Sequence, residues 1–384
     1  MAGTLSARVA VASNAAFYGQ ISVALPLTLA ASGATKAQIA LFFAVSALVA
    51  ASLNLVAGPA LRRRGSPWWG PSVCGLVAAA GALAVPVSAP SPAMYPAGAA
   101  MMTMTLIFPH YISLAGGSGT PGPARLVGRM RRIFVVGFMA GLALASAGGL
   151  VQSLGGDVGP LWIAAALALV NGLIPLAQTA RRAAPEQPRE PGRGLRPHGT
   201  MLTCVLAVLL LRGADSVRLV YLPLFVVGQG LSGTVVALLF LASVAAEIPL
   251  LGPITALADR IGSRRAIVLT AGVGALSFAL IVAGGGVPLL IVSQLLYAVF
   301  AAGFQSVGMV LLSDVLAGDL GAGADVYTGM VQVGAVFGVV APLLVPGYSA
   351  RIFLLGAAFC VASMLLLTAI RRRLPQHGTG LLGR

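Results

Sequence analysis

Polar positions along this chain come in clusters, and the stretches between them are almost wholly apolar. Each apolar run is near the ~20 residues a helix needs to cross the hydrocarbon core of a bilayer. The pattern predicts an all-α integral membrane protein of twelve transmembrane helices. They fall at about 9–31, 37–59, 69–88, 94–115, 131–152, 159–178, 201–228, 233–256, 266–285, 287–312, 326–346 and 350–370. The runs are continuous, unlike the alternating strands of about ten residues that build a transmembrane β-barrel. One long polar stretch, Thr179 to Thr200, is rich in Pro and Arg and has no apolar periodicity. It reads as a linker rather than a fold. The expected organisation is an N-terminal six-helix half at 1–178, a cytoplasmic linker at 179–200, a C-terminal half at 201–371 and a cytoplasmic tail at 372–384.

The two halves repeat one another at an offset of 197 residues. Leu25-Pro26-Leu27 recurs as Leu222-Pro223-Leu224, and Ala40, Leu41 and Phe43 recur as Ala237, Leu238 and Phe240. Ser46 recurs as Ser243, and Gly65 as Gly262. Shared apolar letters are weak evidence in a chain this rich in Ala and Leu, but a proline and a loop glycine in one frame are not. Two parallel halves in an apolar chain point to a transporter whose substrate sits between them, near the midplane.

Composition agrees with lipid as the main solvent. Hydrophobic residues make up 58% of the 384, charged residues 9%, and mean hydropathy is +0.96. A soluble domain carries about 25% charged residues. The net charge of +15 raises the question of nucleic acid, and the placement of the cations answers it. With both termini inside, 20 of the 24 Lys and Arg residues fall on the cytoplasmic side. That is the positive-inside bias of a multi-pass protein of the cell inner membrane, with the basic surface facing anionic lipid headgroups. No nucleic-acid partner is expected. The N-terminal apolar segment resembles a secretory signal, but it matches the start of the second half and reads as the first span. Cys74, Cys204 and Cys360 form no ligand or disulfide pattern. His110, His198 and His377 are far apart, no phosphate-binding glycine loop with a lysine is present, and no cofactor or enzymatic activity is expected.

Between spans eight and nine stands Thr255-Ala-Leu-Ala-Asp259-Arg260-Ile-Gly262-Ser-Arg264-Arg265. A short connection between antiparallel helices needs a glycine turn, here Gly262. Asp259 is able to cap a helix start or pair with an arginine of a neighbouring helix. The stretch resembles the G-x-L-A-D-R-x-G-R-R signature of the major facilitator superfamily. Its sister is Gly58-Pro-Ala-Leu-Arg62-Arg63-Arg64-Gly65, with Arg62 at the acidic position. The resemblance implies twelve helices in two pseudo-symmetric six-helix halves, the major facilitator fold. It also implies a role for this loop in switching between inward and outward states. Ala246-Glu247-Ile248-Pro249, Gln294 to Phe300, Gly308-Met309 and Ser313-Asp314 follow in an order similar to the sugar efflux transporter family. In the first half, Met130-Arg131 and Gly141 match. The resemblance implies exchange of a sugar-like or amphipathic small molecule for protons.

Ionisable groups inside a bilayer are costly, about 2.5–3.5 kcal/mol at a helix centre. Span seven carries Arg212, Asp215 and Arg218, with Tyr221 three residues on, and span eight carries Glu247 about midway along. Spacing of three places the first four along one drifting helix face. If spans seven and eight pack with these faces together, two cations meet two anions, and the cluster is neutral as a unit. Glu247, Asp215, Arg218 and Arg212 are therefore candidates for proton coupling, for substrate contact or for a fixed interhelical clamp. Asn14 and Gln20 in span one, Tyr221, and Gln294, Tyr297 and Gln305 in span ten are candidate substrate contacts or interhelical hydrogen bonds. The expected protein is a monomeric, proton-coupled exporter of sugars or glycosides working by alternating access. Drug or antibiotic efflux on the same fold is the alternative, with a non-transporting membrane sensor behind it.

Overall fold

The computed structural model of the chain describes residues 2–57, 69–107, 123–153, 159–174, 199–315 and 320–370. Among these, twelve helical segments follow one another. The first six are α1 (Ala2–Ala31), α2 (Lys36–Ser52), α3 (Trp69–Ser88), α4 (Met94–Met101), α5 (Pro123–Ser153) and α6 (Pro160–Leu173). The second six are α7 (Gly199–Gly228), α8 (Gly233–Ile261), α9 (Ser263–Ala283), α10 (Gly286–Val315), α11 (Leu320–Val340) and α12 (Ile352–Ala369). A π turn, Leu53–Ala57, extends α2, and 3₁₀ turns, Met102–Leu106 and Ala341–Leu344, extend α4 and α11. Helix is the expected answer to a hydrocarbon solvent, because it satisfies every backbone N–H and C=O within the segment. Seven of the described helices are long and apolar enough to cross a membrane.

The boundaries differ from the sequence expectation chiefly at the polar ends. Helix α5 begins at Pro123 rather than near 131, so Arg125, Arg129, Arg131 and Arg132 lie on the helix and not in a loop. Proline at a first helical position loses no hydrogen bond there. Helix α11 likewise begins at Leu320, earlier than its apolar run. The linker expected at 179–200 lies outside the described residues except for its last two, which open α7.

The packing divides into two compact units, Met1–Pro188 with Val226–Leu241, and Arg189–Phe225 with Ala242–Arg384. In the first, α1 packs on α5 and α6, and α3 on α4 and α6. Helix α2 opens with a capping box. The Thr35 hydroxyl accepts from the Gln38 backbone N–H at 3.2 Å, and the Gln38 side-chain oxygen accepts from the Thr35 N–H at 2.8 Å. In the second unit, α9 packs on α10 and α12, and α10 on α11.

One crossing occurs in both halves. A Cβ built on Gly141 of α5 would lie 2.0 Å from the Ala16 carbonyl oxygen of α1, and one on Gly137 would lie 2.3 Å from that of Ala12. In the second half, a Cβ on Gly338 of α11 would lie 2.1 Å from the Gly213 carbonyl oxygen of α7, and one on Gly334 2.7 Å from that of Leu209. All four positions recur at the offset of 197 found near the start of each half. These are small-xxx-small contacts, in which helices approach until backbone meets backbone and dispersion replaces the absent hydrophobic drive. The second helix of each half also carries a departure from plain α-helical sequence or geometry near matching positions. Helix α2 ends in its π turn, where the Asn54 amide donates to the Ala50 carbonyl at 2.8 Å, and α8 carries Pro249 and Pro253.

Because the obstructing atoms are backbone, they have no rotamer through which to escape. Gly141→Ala and Gly338→Ala should each cost about 1–3 kcal/mol or more. Gly199→Ala, where a Cβ meets nothing within 4 Å, should be silent. Thermal unfolding of the detergent-purified variants checks this; equal melting points for all three would refute the crossing.

Candidate functional site

Among the nine acidic residues of the chain, none falls within α1 to α6. Of those described, Asp215 and Glu247 are the two that stand in mid-helix, on α7 and α8. Both are buried, as is Arg218. The spacing of three along α7 does what the helical repeat requires: Arg212 and Asp215 share a face and form an ion pair through Nη1 and Oδ2.

Helix α10 supplies the other wall. Tyr297 donates its hydroxyl to Asp215 Oδ1, so both oxygens of this carboxylate are held. The same tyrosine offers its ring face to Arg218, whose guanidinium carbon lies 3.9 Å from the ring centroid. One helical turn earlier on α10, the Gln294 side-chain oxygen accepts from Arg218 Nε at 2.7 Å. Gln294 in turn donates to Ser293 Oγ at 3.2 Å. Arg218 also interacts electrostatically with Asp215 and Glu247. The site is therefore one charge network across α7, α8 and α10, with two cations, two carboxylates and an aromatic face. A desolvated cation–π contact of this kind is worth about 2 kcal/mol. Tyr297 is seated by Phe278 of α9 and Phe300 of α10, with ring centroids at 6.2 and 5.4 Å.

Other sequence candidates have different surroundings. Tyr221 is fully buried and donates its hydroxyl to the Val339 carbonyl of α11 at 2.6 Å, a helix-to-helix bond. Asn14 is fully buried and donates to the Met104 carbonyl at 3.0 Å, tying α1 to the 3₁₀ turn after α4. Gln20 is fully buried, and Gln305 is half-buried on α10. Asp259 stands exposed in the last turn of α8, so it does not cap a helix start; Gly262 occupies the N-cap of α9, at φ +87°. That left-handed φ is the reason for glycine in this turn. Arg260 and Arg265 are exposed, whereas Arg264 donates to the Ile370 carbonyl and ties the turn to the end of α12. Gly58 and Gly65, with the rest of the first-half loop, lie outside the described residues. So do His110 and Tyr111.

Two polar links had no counterpart among the sequence candidates. Asn171 of α6 donates to Ser13 of α1 at 2.8 Å, and Ser263 donates to Asp314 of α10 at 2.5 Å. A lone amide in the apolar run of α6 was the available signal for the first. Among the described residues no group of three His, Cys, Asp or Glu is placed to hold a metal ion.

Twelve helices in two halves related by a 197-residue repeat, with the described mid-helix carboxylates confined to the second half, form a specific architecture. Residues 204–382 match the Major Facilitator Superfamily model. A mutant of the nucleoside transporter NupG superposes with a TM-score of 0.79 at 15% identity, over 96% of this chain and 100% of that one. The chain has the major facilitator fold. The peptide transporter POT in complex with sulfate superposes with a TM-score of 0.74 at 13% identity, covering 95% and 94% of the two chains. The inward-open xylose transporter XylE from E. coli gives 0.72 at 13% identity, covering 96% of each. No curated relative matches the sequence. The fold and the apolar helices make this a multi-pass membrane protein.

Removing one member of a buried ion pair strands the other, at a cost of about 3–5 kcal/mol, whereas replacing both by apolar groups is often neutral. Asp215→Leu should therefore destabilise the protein strongly, and Arg212→Met with Asp215→Leu should recover most of the loss. A double-mutant cycle by thermal unfolding reads the coupling; additive losses would show that the pair does not act as a unit.

Proposed function

We propose that the chain is a proton-coupled transporter of sugar-like small molecules, working by alternating access, with Glu247 as the group that takes up and releases the proton. The observation that carries this reading is the difference between the halves at matching positions. Arg212, Asp215 and Arg218 correspond, 197 residues earlier, to Ala15, Tyr18 and Ile21. Glu247, Gln294 and Tyr297 correspond to Ala50, Ala97 and Ala100. The α1–α5 crossing thus reproduces the α7–α11 crossing with no ion pair near it. A clamp of four charges is not needed to build a half of this fold, and burying them costs free energy. Their retention in one half is best explained by work done there.

Within the cluster the two carboxylates are unequal. Asp215 is held on both oxygens by Arg212 and Tyr297. Glu247 stands fifteenth of the 29 residues of α8, beside the kink expected of Pro249. A carboxylate on a bending helix near a guanidinium gains or loses its counter-charge as the helix moves, which is what coupling requires. Neutral, hydroxyl-rich substrates are supported by the resemblance to sugar efflux transporters and by the nucleoside and xylose carriers that share the fold. The same resemblance supports export. The positive-inside bias supports cytoplasmic termini in a cell inner membrane, and the chain is taken to act as a monomer.

Liposomes loaded with labelled lactose or a thio-glycoside, under an imposed pH gradient, test this. Gradient-driven efflux should appear in the wild type and vanish in Glu247→Gln. Efflux that persists in Glu247→Gln would remove Glu247 from coupling. Flux of cationic drugs but of no glycoside would favour the multidrug reading.

A further inference from the structure

We infer that Arg212 is a substrate-binding residue, holding acceptor oxygens of a neutral, hydroxyl-bearing solute on the outer edge of its guanidinium. This rests on the transport reading above and names a contact for it. Of the four charges in the cluster, Asp215, Arg218 and Glu247 are 5% exposed or less. The Arg212 side chain is 21% exposed, although it stands fourteenth of thirty residues in α7. A guanidinium edge turned to lipid tails would have no acceptor at all, so this mid-helix exposure is to water.

The side chain is also anchored. Nη1 donates to Asp215, and Nε donates to the Val331 carbonyl of α11 at 3.2 Å. Those two bonds use two of the five N–H groups of arginine. Neither of them engages Nη2. The stem lies against Gly334, where a Cβ would come 2.8 Å from Arg212 Cβ and 3.1 Å from Cγ. At the matching place in the first half, Gly137 faces the Ala12 backbone, and Ala15 stands at the position of Arg212. Gly334 thus opens a groove that the arginine stem fills, and two bonds fix the aim of its head.

Chemistry sets the class of ligand. The open edge carries donors and no acceptor, so it selects oxygens with lone pairs. Arg212 and Arg218 are balanced by Asp215 and Glu247, so the ionised cluster has no net charge with which to draw in an ion. Paired hydroxyls, or a hydroxyl beside a ring oxygen, meet a guanidinium edge without disturbing that balance.

The three cysteines of the chain are buried, so thiol labelling of the wild type should be low. Arg212→Cys and Arg218→Cys, purified in detergent, are to be treated with a charged, water-soluble methanethiosulfonate, with and without lactose, xylose or uridine. Arg212→Cys should react, Arg218→Cys should not, and at least one of the three neutral solutes should slow the reaction. In the otherwise intact protein, the protecting solute should raise the melting point, with apparent affinity about tenfold weaker in Arg212→Gln than in Arg212→Lys. An unreactive Arg212→Cys overturns the inference. So does labelling that none of the three solutes slows. Gradient-driven flux that needs Glu247 but shows no such protection would sink Arg212 while leaving the proton reading intact. Protection at Arg212 with flux indifferent to Glu247→Gln would do the reverse.

Discussion

A guanidinium in hydrocarbon must carry its counter-charge with it, and Arg212 finds one a helical turn away in Asp215. The rest of the second-half site follows from that pair. Once Asp215 is committed to Arg212 and to the Tyr297 hydroxyl, Arg218 needs other support. Gln294 and the face of Tyr297 supply it. Glu247 completes the charge balance from a second helix.

The scaffold around that network is built without charge. In both halves the first and fifth helices meet at glycines placed four residues apart, and the opposing atoms are backbone oxygens. Contacts of this kind do not depend on the ionisation of any side chain. Close backbone packing also makes each pair behave as one stiff element, which suits alternating access by movement of whole segments.

Much of this was legible in the sequence, for physical reasons that differ by level. Lipid forces whole-helix apolar runs, so the twelve spans stood out. The buried charges were legible because an ionisable residue in an apolar run is expensive and therefore conspicuous. Their partners were less so. Spacing alone left Asp215 equally able to pair with Arg212 or Arg218, because both lie three residues away; α10 and α11 decide between them through Tyr297 and the Val331 carbonyl. A backbone carbonyl has no sequence signature, and so the hydroxyl of Tyr221 looked available when it is bonded to Val339. Helix ends such as those of α5 and α11 were misplaced because polar residues continue a helix past the apolar run that announces it.

On the proposed mechanism Glu247, and not Asp215, exchanges a proton with water. Infrared difference spectra of the purified protein in lipid, taken between high and low pH, read this directly as the carbonyl stretch of a newly protonated carboxylic acid. One such band is expected in the wild type, retained in Asp215→Asn and absent from Glu247→Gln. A band that disappears with Asp215 instead, or no carboxylic-acid band at any pH at which the protein is folded, would contradict it.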